Sequence, residues 1–254
     1  FRAVGSTANS AHPMMVLNTI VAKQLKEFRQ EYDAERLIDD SKKEGIVVKI
    51  LKRYISESKN ILFEGNGYSK EWEEEAAKRG LSNIRNTPEA LKSFLRPEYV
   101  AVFEEMGVLS HREIEARYEI ELENYVKKVQ IESRVVGDLA QNHVISTAIK
   151  YQTRLVQTAK SLIDLGLTKE AEPVIQIIKE ISSRVATIST LVEESVEARK
   201  YANNLPKIEE MAAVYSTDVK QYSEKIRVEV DKLELVIDDE DWPLVKYREL
   251  LYVR

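Results

Sequence analysis

Three histidines (His12, His111 and His143) and no cysteine make up the chain's supply of the commonest metal ligands and general bases. Zero Cys excludes disulfides, Cys-based zinc sites, iron–sulfur clusters and thiol nucleophiles. A di-metal centre in a helical bundle needs Glu-x-x-His pairs facing the core. The residues three before the histidines are Asn9, Val108 and Ala140, so no such pair exists. Glu113, Glu115, Glu119, Glu121 and Glu123 therefore read as a solvated helix face. His111 falls in a capped first turn and should be exposed. His143 lies beside an apolar stripe and reads as a hydrogen-bonded structural residue. His12 precedes Pro13 and reads as a loop residue. Gly65-Asn66-Gly67 lacks the Gly-Lys-Ser/Thr of a phosphate loop and follows no strand, so it reads as a turn. Glu73–Glu75 and Asp238–Asp241 lack the Asp/Asn spacing and Gly of a calcium loop and read as surface. No self-contained active site emerges.

The elements that carry these residues are helical. Only 8 Gly and 6 Pro occur in 254 residues, with 43% hydrophobic and 32% charged residues. So few turn formers argue against sandwiches and barrels, and the apolar share suffices for a core. The 38 basic and 43 acidic residues give −5, which offers no basic footprint for nucleic acid. The longest uncharged run, Ala3 to Ala22, is too polar for a membrane span, and no leader pattern is visible. The lack of Cys suits a cytoplasmic location. Phe1 opens mid-pattern without an initiator Met, which points to a fragment or processed chain.

Met14, Leu17, Val21, Leu25 and Phe28 predict a helix from Pro13 to about Leu37. A second, from Ser41 to Leu62, places Val47, Leu51, Tyr54, Ile55 and Ile61 on one face. Short helices follow between Gly65 and Gly107, capped by Ser69 and Thr87 and opened by Pro97. Ser110 and Glu113 form a capping box. The stripe from Ile114 to Leu165 predicts one very long helix, which implies either a bend near Gly137 or a rod-like bundle. Thr168 caps the next helix, and Asn203–Pro206 turns into the last long one, Ile208 to Ile237. Short turns between long amphipathic helices imply antiparallel neighbours. The Tyr118, Leu122, Tyr125 and Val129 stripe is expected to meet Ile178, Val185, Tyr215 and Tyr222. The fold class is therefore mainly α: an antiparallel bundle of long helices with a short-helix insert. From residues alone, a non-catalytic helical scaffold or interaction module is an open alternative.

Several segments resemble type III glutamine synthetases: FRAVGSTANSAHPMMVLNTIVA (1–22), GNGYSKEWEEEAAKRGL (65–81), REIEARYEIELENYVKKVQIESRVVGDLAQNHV (112–144), AIKYQ (148–152) and WPLVKYRELL (242–251). The resemblance implies a ligase that condenses glutamate with ammonia at the expense of ATP, using magnesium or manganese. It implies that residues 1–37 end the catalytic domain, 38–109 form a helical insert, and 110–254 form a long-helix bundle with a C-terminal tail. Arg2 resembles the substrate-binding Arg of the family's Glu-x-Arg pair, whose Glu would precede Phe1. Its fork suits a carboxylate or phosphate. No other site residue carries over: no catalytic, nucleotide-binding or metal-binding residue is assigned in this stretch, which alone should be inactive. The implied partners are the remainder of the synthetase chain and other subunits of a homo-oligomer. Ser146 stands where the family tends to have Pro, which leaves the long helix straighter there.

Overall fold

A computed structural model describes residues 9–38 and 43–251. Every described element is a helix or turn. The helices are α1 (Ala11–Ile38), α2 (Lys43–Glu57), α3 (Lys70–Lys78), α4 (Thr87–Leu91), α5 (Pro97–Glu105), α6 (His111–Asp138), α7 (Ser146–Asp164), α8 (Thr168–Asn203), α9 (Ile208–Val214) and α10 (Lys220–Glu234). The chain divides into two compact units, Phe1–Tyr118 and Glu119–Arg254.

In the first unit, α5 and the start of α6 enclose Val100, Phe103, Leu109 and Ile114, with Met15 and Val16 of α1 against them. Glu105 receives Lys23 at 2.6 Å and Lys26 at 3.1 Å, which ties α1 to α5. Arg53 and Lys49 of α2 pair with Glu31 and Glu35 of α1. Met14, Val21, Leu25, Leu51, Ile55 and Ile61 stay exposed, and α2 buries Ile46 and Ile50 instead. The stripes expected for α1 and α2 are thus not the buried sides of these helices, since periodicity gathers apolar residues on a face without fixing which face a neighbour covers.

The capping box holds: the Ser110 N–H donates to Glu113 Oε2 at 2.8 Å, and the Glu113 N–H to Ser110 Oγ at 3.4 Å. The Ser110 N–H and the Ser110 hydroxyl both donate to the Glu113 carboxylate at 2.8 Å, and these two bonds hold the carboxyl below its ordinary range. Ser69 accepts from the Trp72 N–H, as its position implies. Two caps differ. Asn86, not Thr87, accepts from the Glu89 N–H at 2.9 Å. Leu167 occupies the cap of α8 with no side-chain bond, because Thr168 is already the first helical residue.

In the second unit, α7 and α10 both pack on α8. Partners step in opposite directions along the chain: Gln130 with Asn203, Ser133 with Ser195, Gln152 with Ile178. The neighbours are therefore antiparallel. That register sets Ile178 beside α7, so Ser195 and Asn203 meet α6 instead. The core gathers Val144, Ala148, Ile181, Ile188, Ile226 and Leu233. The backbone stays helical through Gly137 and Ser146. The local departure is a π-helical segment, Leu139–Ile145, and a second one, Tyr215–Val219, joins α9 to α10. Gly166 joins α7 to α8 at φ 81°, a conformation that residues with a Cβ rarely adopt.

Candidate functional site

Arg2 lies outside the described residues. The remaining candidates resolve into structural roles. His12 belongs to α1 rather than to a loop, and its ring stacks on Phe94 with centroids 5.0 Å apart. His111 is exposed, with Nε2 3.2 Å from Glu115. His143 points out of the π segment and is exposed, not a buried structural residue. No group of three or more His, Asp or Glu able to hold a metal occurs among the described residues.

The GNGYS turn is a folded aromatic corner. Phe63 stacks on Trp72 at 4.0 Å, and Arg79 lies over the indole. Arg79 also donates to the Leu62 carbonyl at 2.6 Å and pairs with Glu75 at 2.7 Å. A Cβ on Gly65 would come within 2.6 Å of the Phe63 ring, which accounts for the glycine. No phosphate cradle is present in this corner.

The acidic run near the C-terminus is neutralised from a distance. Arg154 of α7 reaches Asp238 at 3.2 Å and Asp241 at 2.6 Å. Lys246 meets Asp239 at 2.5 Å and donates to the carbonyls of Glu234 and Ile237 at 2.8 and 3.2 Å. Its ammonium thus caps α10, where the helix dipole favours a cation. Sequence reasoning missed Arg154 and Lys246 because their partners sit 84 and about 10 residues away, beyond any local pattern.

A cavity of about 270 Å³ opens beside the π segment Leu139–Ile145. Val144, Ile226, Trp242 and Leu244 form its apolar wall, with Arg227, Asp231 and Glu234 at its edge. Arg227 holds Asp231 at 3.0 Å. Burial, helped by the Asp231 charge, raises the Glu234 carboxyl above its ordinary value. The indole N–H of Trp242 is buried without an acceptor. The cavity suits an apolar body. It lacks a nucleophile with an adjacent base, and so it contains no catalytic set.

The described residues thus define an all-helical module. Residues 46–162 match the family model described as the glutamine synthetase C-terminal domain. Across all of its length the chain is 44% identical to a glutamine synthetase of Bacteroides fragilis and 30% identical to a type-3 glutamine synthetase of Dictyostelium discoideum. It spans 35% of each of those proteins. A glutamine synthetase of Butyrivibrio fibrisolvens is 30% identical over 81% of the chain and is covered over 29% of its own length. Residues 46–162 carry the glutamine synthetase C-terminal domain, and the chain as a whole is similar to part of these longer glutamine synthetases.

Proposed function

We propose that the protein containing this chain ligates ammonia to glutamate with ATP, and that the helices described here serve its structure and subunit assembly. The observation that carries the reading is the end-to-end similarity, at 44% identity, to a protein named glutamine synthetase. ATP and magnesium or manganese would neutralise charge during phosphoryl transfer. The described residues do not fit either group, having neither a three-ligand cluster nor a phosphate loop. Binding and chemistry are therefore assigned elsewhere, with Arg2 as this chain's contribution to the substrate. The 254-residue chain alone is inactive in this reading. The partners are the remainder of the synthetase and its other subunits, and the location is cytoplasmic.

Assembly is supported by apolar residues that the fold leaves uncovered. Ile149, Val156 and Ile163 recur every seven residues on α7 and are each nearly half exposed. A stripe of that kind marks a contact surface. The test compares the full-length protein with the 254-residue chain in a glutamine-forming assay, and adds sedimentation of a full-length Ile149→Lys/Val156→Glu/Ile163→Lys variant. Glutamine from the full-length protein alone, and a smaller oligomer in the variant, are expected. Turnover by the chain alone, or an unchanged oligomer, overturns the corresponding half.

A further inference from the structure

The α6–α8 interface carries a short polar belt. Ser133 and Ser195 bond Oγ to Oγ at 3.1 Å, both buried. One turn away, the Gln130 amide donates to Asn203 at 3.2 Å and to the Tyr215 hydroxyl at 3.1 Å, and Tyr215 donates to Asn203 at 2.8 Å. These two clusters fix the register. Arg134 follows Ser133 on α6, and Arg199 lies one turn after Ser195 and one before Asn203 on α8. Arg134 is one turn on from Gln130 and Arg199 one turn before Asn203, so the antiparallel register brings the two across from each other.

Neither has a carboxylate partner among the described residues. Asp138, one turn along from Arg134, accepts from Asn142. Glu197, beside Arg199, pairs with Lys200. The Nε of Arg199 is buried and unbonded, while Arg134 is exposed, so the pair is open to solvent on one side. Burial and the facing Arg134 charge lower the Arg199 guanidinium below its ordinary value, against a smaller opposite effect of Tyr215. Two facing cations, one of them partly dehydrated, are stabilised when an anion neutralises them. Their planar forks match the oxygens of phosphates and carboxylates.

We infer that Arg134 and Arg199 form a binding site for a small dianionic oxyanion, a phosphate or a dicarboxylate, on the α6–α8 face. The site is independent of ligase chemistry and does not need Arg2. Calorimetric titration of the full-length protein with inorganic phosphate, and separately with malonate, at ionic strength held with sodium chloride, tests it. Saturable binding of at least one anion is expected, and the two titrations separate phosphate from carboxylate recognition. Arg134→Gln, on the exposed side of the pair, should weaken binding about tenfold or more, the loss of one charged hydrogen bond. Arg199→Lys should retain part of it. Thermal melts of both variants confirm folding. Absence of saturable binding, or equal affinity in Arg134→Gln, overturns the inference. Loss of oligomer in Arg134→Gln without anion binding in the wild type also overturns it, in favour of a subunit contact.

Discussion

The guanidinium of Arg184 holds the carboxylate of Glu229 at 3.0 Å, joining α8 to α10. Arg184 also takes Glu180 at 2.7 Å, and Lys232 takes the other oxygen of Glu229 at 2.5 Å. The Lys232 bond first, and Arg184 after it, hold the Glu229 carboxyl below its ordinary value against the cost of burial. A carboxyl lowered by folding stabilises the native state above its unfolded pKa. That contribution is lost as pH falls through the folded value. Glu229→Gln should cost about 1 kcal/mol at neutral pH. Wild type and variant should converge in acid. Melts across a pH series check this, and a gap that widens in acid would refute it.

Leu122 is 1% exposed on α6. Leu122→Asp buries an unpaired carboxylate and opens a cavity, and should cost roughly 4 kcal/mol or more. Glu123→Lys, on the solvated face beside it, should change stability by less than about 0.5 kcal/mol apart from its exposed pair with Lys127. Denaturant titration of both variants distinguishes the two faces.

Lys246 is 8% exposed and fastens the tail to the end of α10. Lys246→Met keeps the stem but removes the donor, leaving two carbonyls unanswered at a cost of about 1–3 kcal/mol. Hydrogen exchange should quicken over residues 235–251 and stay slow around Ile188 and Ile226. Uniform quickening across the bundle would show that the tail and core open together.

Arg2 is the one residue here assigned to substrate. Arg2→Lys in the full-length protein keeps the charge and loses the fork. It should cost about 1.5–3 kcal/mol in kcat/KM. Unchanged kinetics would mark Arg2 as a structural residue.

Much of this architecture was legible because helices announce themselves locally. Ser69 and the Ser110–Glu113 box sit where their spacing puts them, and the stripes of α6 to α10 mostly face inward. Side-chain pairing across sequence was not legible. Arg154 finds Asp238 only after α7 and the turn beyond α10 are brought together. The stripes of α1 and α2 were legible as apolar but not as uncovered, since nothing in a periodicity says what lies opposite. The site fared worst, because its one assigned residue, Arg2, rests on family resemblance and lies outside the described residues.

The π segments have a bearing on how the chain tolerates changes of length. In an α-helix, removing one residue turns everything beyond it by roughly 100° and swaps core for solvent. A π turn closes i→i+5 rather than i→i+4, so it already stores one surplus residue. The segment Leu139–Ile145 also carries core residues, Ala140, Val144 and Ile145. Deleting one residue there would let the turn relax to α geometry with both flanks still in phase. The same deletion in the middle of α8 would scramble the core. Leu139–Ile145 and Tyr215–Val219 are thus the bundle's two slack links, where single-residue insertions and deletions between homologous chains should accumulate.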